Sequence, residues 1–236
     1  MPRYTVLLAI GFIASSAQAQ SVSPSAEPTA PPASAAPSGA VVPMEEPQPG
    51  DHWTYQVRDE ITGKVSATRE NVVTEVTPKT ISVRINTVGT SNEGFNVFDH
   101  SWNLLSSSTY RFSPYQGSTG IQVPLEVGKS WSFQSNNTNI SNGTIWKESG
   151  TSKVAGKESV TTKAGTFDVF KIETNFSTQN TKDMTKKNEF VFQTWYAPAI
   201  DHWVKRVNVI KADGHLRSNE TVELIEFGRK QAASNK

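Results

Sequence analysis

Apolar and polar residues alternate in short runs along most of the chain: Trp53, Tyr55 and Val57; Ile81, Val83 and Ile85; Trp131 and Phe133; Val207 and Val209. A period of two puts such side chains on one face of an extended strand. Turn residues separate the runs, at Thr62-Gly63, Pro78, Asn142-Gly143, Ala155-Gly156, Ala164-Gly165 and Asp213-Gly214. The Asn-Gly and Asp-Gly pairs suit two-residue hairpin loops. Long helical periodicity is absent, and the nearest approach to it, Thr181 to Glu189, is short and polar. Strands are expected near 52–60, 64–76, 80–89, 94–100, 101–106, 109–113, 120–125, 130–138, 144–154, 157–162, 166–176, 188–197, 202–211 and 216–227. Most connections are too short for parallel crossovers, so the expected fold is all-β, an antiparallel meandering curved sheet or half-barrel.

The densest apolar stretch runs from Lys163 to Val207, where KAGTFDVFKI and FVFQTWYAPAIDHWVKRV flank a polar excursion. Two strands joined by a long hairpin account for it. Trp53, Trp131, Phe167, Phe170, Trp195 and Tyr196 are the expected core. An internal echo runs through the chain: Gly50-Asp51-His52-Trp53-Thr54-Tyr55 parallels Gly128-Lys129-Ser130-Trp131-Ser132-Phe133. A second tryptophan follows in each half, Trp102 and Trp195. Two related halves, or two stretches that converged on one β pattern, both produce this echo.

The first residues carry Arg3, an apolar run from Val6 to Ala14, and then Ala17-Gln18-Ala19. That order is the pattern of a cleavable signal peptide over 1–19, and the apolar run falls short of the roughly 20 residues a membrane span needs. The expected mature protein therefore has no transmembrane span. Residues 20–49 are rich in Pro, Ala and Ser, a composition that buries too little apolar area to fold, so a disordered linker is expected there. An all-β domain over 50–228 and a polar tail over 229–236 complete the expected organisation. The chain has no cysteine, hence neither a disulfide nor the acylated cysteine of a bacterial lipoprotein. The expected location is the periplasm or the medium. Of 23 basic and 22 acidic residues, Arg3 leaves with the signal, making the remainder formally neutral. Neutrality argues against nucleic acid as partner. Five N-x-Ser/Thr sequons begin at Asn136, Asn139, Asn142, Asn175 and Asn219, as chance supplies in a segment so rich in Asn, Ser and Thr.

The segments GDHWTY, GKSWSF, KAGTFDVFKI and TWYAPAIDHWVKRV resemble the hallmarks of the domain-of-unknown-function 3108-like (DUF3108-like) group of exported bacterial proteins. In that group an AGTF turn and a WYAPG strand followed by VK recur. The resemblance extends over nearly all of 48–228 and implies an all-β domain in the bacterial envelope, with no catalytic residue to carry over. This chain differs at Lys163, where the group often has proline, and at Ala199 and Asp201, where a Gly-Val-Gly turn is usual.

Three of the four histidines follow an aspartate: Asp51-His52, Asp99-His100 and Asp201-His202. Neighbours in a strand point to opposite faces, so none of these aspartates orients its own histidine as a catalytic partner would. Surface or strand-end positions are expected for them. No G-x-S-x-G nucleophile turn occurs, and no metal-ligand spacing or cofactor motif is evident. Scattered acids such as Glu126, Glu173 and Glu189 neither support nor exclude a glycosidase pair. Six tryptophans and eleven phenylalanines favour binding over catalysis. The expected partner is an envelope ligand, whether lipid, peptide or polysaccharide, taken either in a groove or on an exposed aromatic face. Trp102 and Trp146, each among polar neighbours, are the candidates for ligand contact and for exposure. A polysaccharide-binding module is the first alternative, and a periplasmic hydrolase the less favoured one.

Overall fold

The computed structural model describes Met44 and residues 46–229; the expected signal peptide, most of the expected linker and the tail beyond Arg229 lie outside the described residues. The strands are β1 (Asp51–Asp59), β2 (Lys64–Val76), β3 (Ile81–Thr87), β4 (Glu93–Phe98), β5 (Leu104–Ser107), β6 (Tyr110–Gln116), β7 (Ser130–Asn139), β8 (Ile145–Thr162), β9 (Gly165–Asn180), β10 (Lys187–Ala197), β11 (His202–Ala212) and β12 (His215–Arg229). The one helical turn among the described residues is a 3-10 turn at Pro198–Ile200.

Each strand pairs antiparallel with its neighbour in sequence, and β1 pairs with both β2 and β12. The sheet is therefore a closed barrel, where an open curved sheet or half-barrel was expected. Closure leaves no edge strand with unpaired backbone groups. The expected strand at 120–125 is instead a loop that delivers Ile121 to the core. The expected strands at 144–154 and 157–162 are one, β8, with a register shift between Val154 and Gly156.

The echo seen in the sequence is repeated in the backbone. β1 and β7 each open a run of six strands. Gly50 and Gly128 precede them with φ of 94° and 92°, a region that favours glycine. Gly50 N–H donates to Val73 O and Gly128 N–H to Val154 O, both at 2.8 Å. Asp51 N–H donates to Gln48 O, and Lys129 N–H to Glu126 O, both at 3.0 Å.

One end of the barrel is filled by a core that includes Trp53, Tyr55, Ile81, Phe98, Trp102, Ile121, Ile200 and Leu224. Met44, within the stretch read as linker, is buried in this core, and its N–H donates to Ala199 O at 2.9 Å. Arg229, read as the start of the tail, belongs to β12 and grips both oxygens of the buried Asp51 carboxylate, at 2.8 and 2.9 Å. The folded unit thus reaches past both expected boundaries. Along β8, Lys147, Ser149, Thr151 and Lys153 are exposed while Glu148, Ser152 and Val154 are buried. A charged outward face is the reverse of the apolar band around a transmembrane barrel. No helix among the described residues is long and apolar enough to cross a membrane.

Candidate ligand-binding lumen

The floor of the lumen is an aromatic box around His202. Its ring stacks on Trp53 with centroids 4.1 Å apart and planes 18° from parallel. Trp203 lies 3.6 Å away, and Trp102 meets the ring edge-on at 4.5 Å. Tyr55 donates its hydroxyl hydrogen to Trp203 O at 2.9 Å. The 2.7 Å contact between Tyr55 Oη and His202 Nδ1 therefore takes its hydrogen from the imidazole, which fixes the Nδ1–H tautomer. Burial pushes the His202 pKa well below its usual value, and Arg206 adds to the effect. The imidazole is neutral.

Above this floor lies a cavity of about 240 Å³. Phe112, Phe133, Phe176 and Phe192 line its walls, together with Val83, Ile85 and Leu104. The bare Cα of Gly150 allows the Phe133 and Phe176 rings to meet at 6.0 Å; a Cβ there would stand 2.3 Å from Phe176 Cβ and 2.5 Å from Asn175 O. Two ionisable side chains of opposite sign also face the space, Glu148 and Arg206. Glu148 accepts from Asn137 Nδ2 at 2.7 Å; burial raises its pKa, and that hydrogen bond partly opposes the rise. Arg206 sits opposite Thr194 of β10, its guanidinium 3.6 Å over the Trp203 ring. Buried Arg206 Nε and Ser135 Oγ have no hydrogen-bond partner among the described residues.

Trp102 lines this cavity. It is only 5% exposed, which corrects the expectation of an exposed ring. Its polar neighbours in sequence mislead because they build a tight connection that turns the indole inward. Asp99 Oδ1 accepts from the N–H groups of Ser101 and Asn103, both at 2.9 Å. Trp102 itself is held at φ 56°, a strained value for a bulky residue. Trp146 is half-buried and lies opposite Asn137 and Asn180, away from the cavity lining. The structure does not bring the two candidate tryptophans together.

Trp53, Phe167, Trp195 and Tyr196 lie in the core cluster, with Trp131 and Phe170 partly buried against it. Trp195 is flanked by Lys171 and Lys205 on the neighbouring strands, and its indole N–H donates to Glu158. Tyr196 donates its hydroxyl to Asp201 across the 3-10 turn. Burial raises the Asp201 pKa to about 6, opposed first by the Tyr196 bond.

The histidines do not converge. His52 Nε2 contacts Glu226 at 2.8 Å, and His100 Nε2 contacts Thr77 O at 2.8 Å. His202, expected at a surface or strand end, does open β11 but is 1% exposed; its burial depends on Trp53 and Trp102, which are remote in sequence. Among the described residues no three His, Asp or Glu side chains are placed to hold a metal ion. The sequence pattern marks none of Arg206, Phe133, Phe176 and Phe192 as a cavity residue; Phe133 and Phe192 enter it only through strand alternation and the apolar stretch. The signal for Arg206 was its alternation with Lys205 and Val207, which turns it to the face shared by Thr194.

Compared with known proteins, the DUF3108-like family profile matches residues 119–218. Over that span the chain is similar to the DUF3108-like family. The matched span takes in the AGTF and WYAP segments, part of the cavity wall and the floor residues His202 and Trp203. No curated protein matches by sequence. Among solved structures, a candidate lipoprotein from Parabacteroides distasonis aligns with a TM-score of 0.48 and 14% identity, covering 79% of this chain and 99% of its own. A candidate exported protein with a YmcC-like fold from Bacteroides fragilis gives 0.49 and 13%, covering 80% and 100%. The hypothetical lipoprotein YmcC from Escherichia coli gives 0.44 and 9%, covering 76% and 85%.

Proposed function

We propose that this protein is an exported, non-catalytic domain of the bacterial envelope that holds a hydrophobic or amphiphilic ligand in the lumen of its barrel. The carrying observation is the cavity of about 240 Å³ enclosed by phenylalanines above a tryptophan floor. Polar side chains, among them Asn96, Asn103, Gln134 and Thr194, are interspersed with the aromatic and aliphatic ones, a mixed lining that suits a ligand with both an apolar and a polar part. The volume lies somewhat below the ~300–1,000 Å³ of drug-sized pockets, which suits a short chain rather than a two-chain lipid. Access is easiest beside Leu104 and Phe112, because β5 and β6 share the single ladder pair Ser106↔Arg111. Export follows from the signal-peptide pattern of residues 1–19. The burial of Trp102 favours this reading over a flat polysaccharide-binding face.

Titration of the full chain with N-phenyl-1-naphthylamine, a neutral probe that fluoresces in apolar surroundings, tests the reading. Saturable binding near one equivalent is expected, with a loss of at least tenfold in Leu104→Trp, which fills the space. No saturable binding by the folded wild type would overturn it.

A further inference from the structure

Arg206 brings a positive charge into the lumen without a negative one to meet it. The ion pairs among the described residues are His52–Glu226, Arg58–Glu60, Arg84–Glu93, Lys171–Glu173, Lys186–Asp183, Lys187–Glu189 and Arg229–Asp51, and none includes Arg206. The other charged group on the cavity, Glu148, is engaged by Asn137. Arg206 is half-buried, with its Nε fully buried, and it lines the cavity. Burial lowers its pKa to about 10, with Tyr55 opposing, so it remains a cation at neutral pH. Stacking on Trp203 fixes the plane of the guanidinium. Its buried Nε has no acceptor among the described residues.

A buried guanidinium with an unsatisfied donor is costly unless an acceptor arrives, and its planar fork matches an oxyanion that accepts two hydrogen bonds. Core filling alone would be served at lower cost by Met or Leu at this position. We propose that Arg206 anchors the acidic head of a single-chain amphiphile, a carboxylate or phosphate monoester, with its alkyl tail among Phe112, Phe176 and Phe192. This inference rests on the lumenal-binding reading above and adds the charge of the ligand. Ser135 Oγ, also on the cavity and also unpartnered, is a second polar group available there.

Competition against bound N-phenyl-1-naphthylamine at pH 7.5 tests it, with decanoate, decyl phosphate, decanol and methyl decanoate as competitors. Decanoate or decyl phosphate is expected to displace the probe at concentrations at least tenfold below those of the two neutral compounds, and whichever acid is tighter names the head group. In Arg206→Gln the acid-to-neutral ratio is expected to fall to about one, with Arg206→Lys between. If decanol competes as well as both acids in a wild type that binds the probe, the role of Arg206 is refuted and the lumenal reading stands. Retention of the preference in Arg206→Gln refutes that role equally. Failure of the folded wild type to bind the probe removes both readings. Should Arg206→Gln not fold, the wild-type comparison of decanoate with methyl decanoate decides alone.

Discussion

Trp53 at the start of β1 and His202 at the start of β11 lie ring on ring, 4.1 Å apart, at the base of the lumen. Through Tyr55 the same histidine is tied to the backbone of Trp203. A proton on His202 Nε2 would put a charge inside this box with Arg206 as its neighbour in the lumen. The imidazole takes up its proton in the unfolded chain at about pH 6.5 and does so only at much lower pH when folded. Stability from this residue is therefore present above about pH 6.5 and lost as pH falls. Between pH 7.5 and 5.5 the wild type should lose more stability than His202→Phe in urea unfolding, by on the order of 1 kcal/mol. Asp201 and Glu148 titrate in both proteins and cancel in this difference. Parallel pH profiles would show that His202 is not held neutral by the fold.

Asp201 shows the opposite sign. Its folded pKa of about 6 exceeds the ordinary carboxylate value of about 3.9, so the folded state holds the proton more tightly. The contribution of this residue to stability falls as pH rises from about 4 to 6 and stays low above. Asn tolerates the left-handed backbone at φ 45° and can still accept from Tyr196. Asp201→Asn should therefore gain stability relative to wild type at pH 7.5 compared with pH 4. Thermal midpoints at the two values measure it, and an equal difference at both would contradict the burial of this carboxyl.

Much of the fold was legible from the alternation of residues, because period two survives in strands such as β1 and β7 that bury one face. Trp53, Tyr55 and Val57 are buried in the register that their spacing implies. Closure into a barrel was not legible, since it rests on β1 pairing with β12, residues far apart in the chain. The bulge at Ala155 hid the continuity of β8 by breaking the alternation. At the site, Trp102 was singled out from its neighbours, but its burial is decided by the Asp99 turn and the loop around Gly120. Arg206 reads as an ordinary strand cation until Trp203 and the cavity are placed beside it. Asp201 is held at φ 45°, a left-handed position that favours glycine, and nothing in the sequence of this turn announced it.

Two tryptophans of the second half, Trp146 and Trp195, should differ in weight. Trp195 is nearly buried between two lysine stems and bonded to Glu158, so Trp195→Ala should cost about 3–5 kcal/mol. Trp146 is half-buried, and Trp146→Ala should cost well under half as much. Denaturant midpoints of both variants provide the comparison, and equal losses would contradict the placement of Trp195 in the core.

Met44 extends the folded unit into the proline-rich stretch. Its side chain is 2% exposed, and truncating a buried methionine to alanine costs about 2–5 kcal/mol. Met44→Ala should lower the denaturant midpoint accordingly, as should deletion of residues 44–49. An unchanged midpoint in both would place the start of the domain at Gly50 after all.

The lumen as a ligand site is tested most directly by native mass spectrometry of the protein purified from its own host without detergent. The expected result is the mass of the chain plus that of one small amphiphile, released under denaturing conditions and missing from Leu104→Trp. The bare mass of the folded wild type, with no adduct after incubation with decanoate or decanol either, would contradict it.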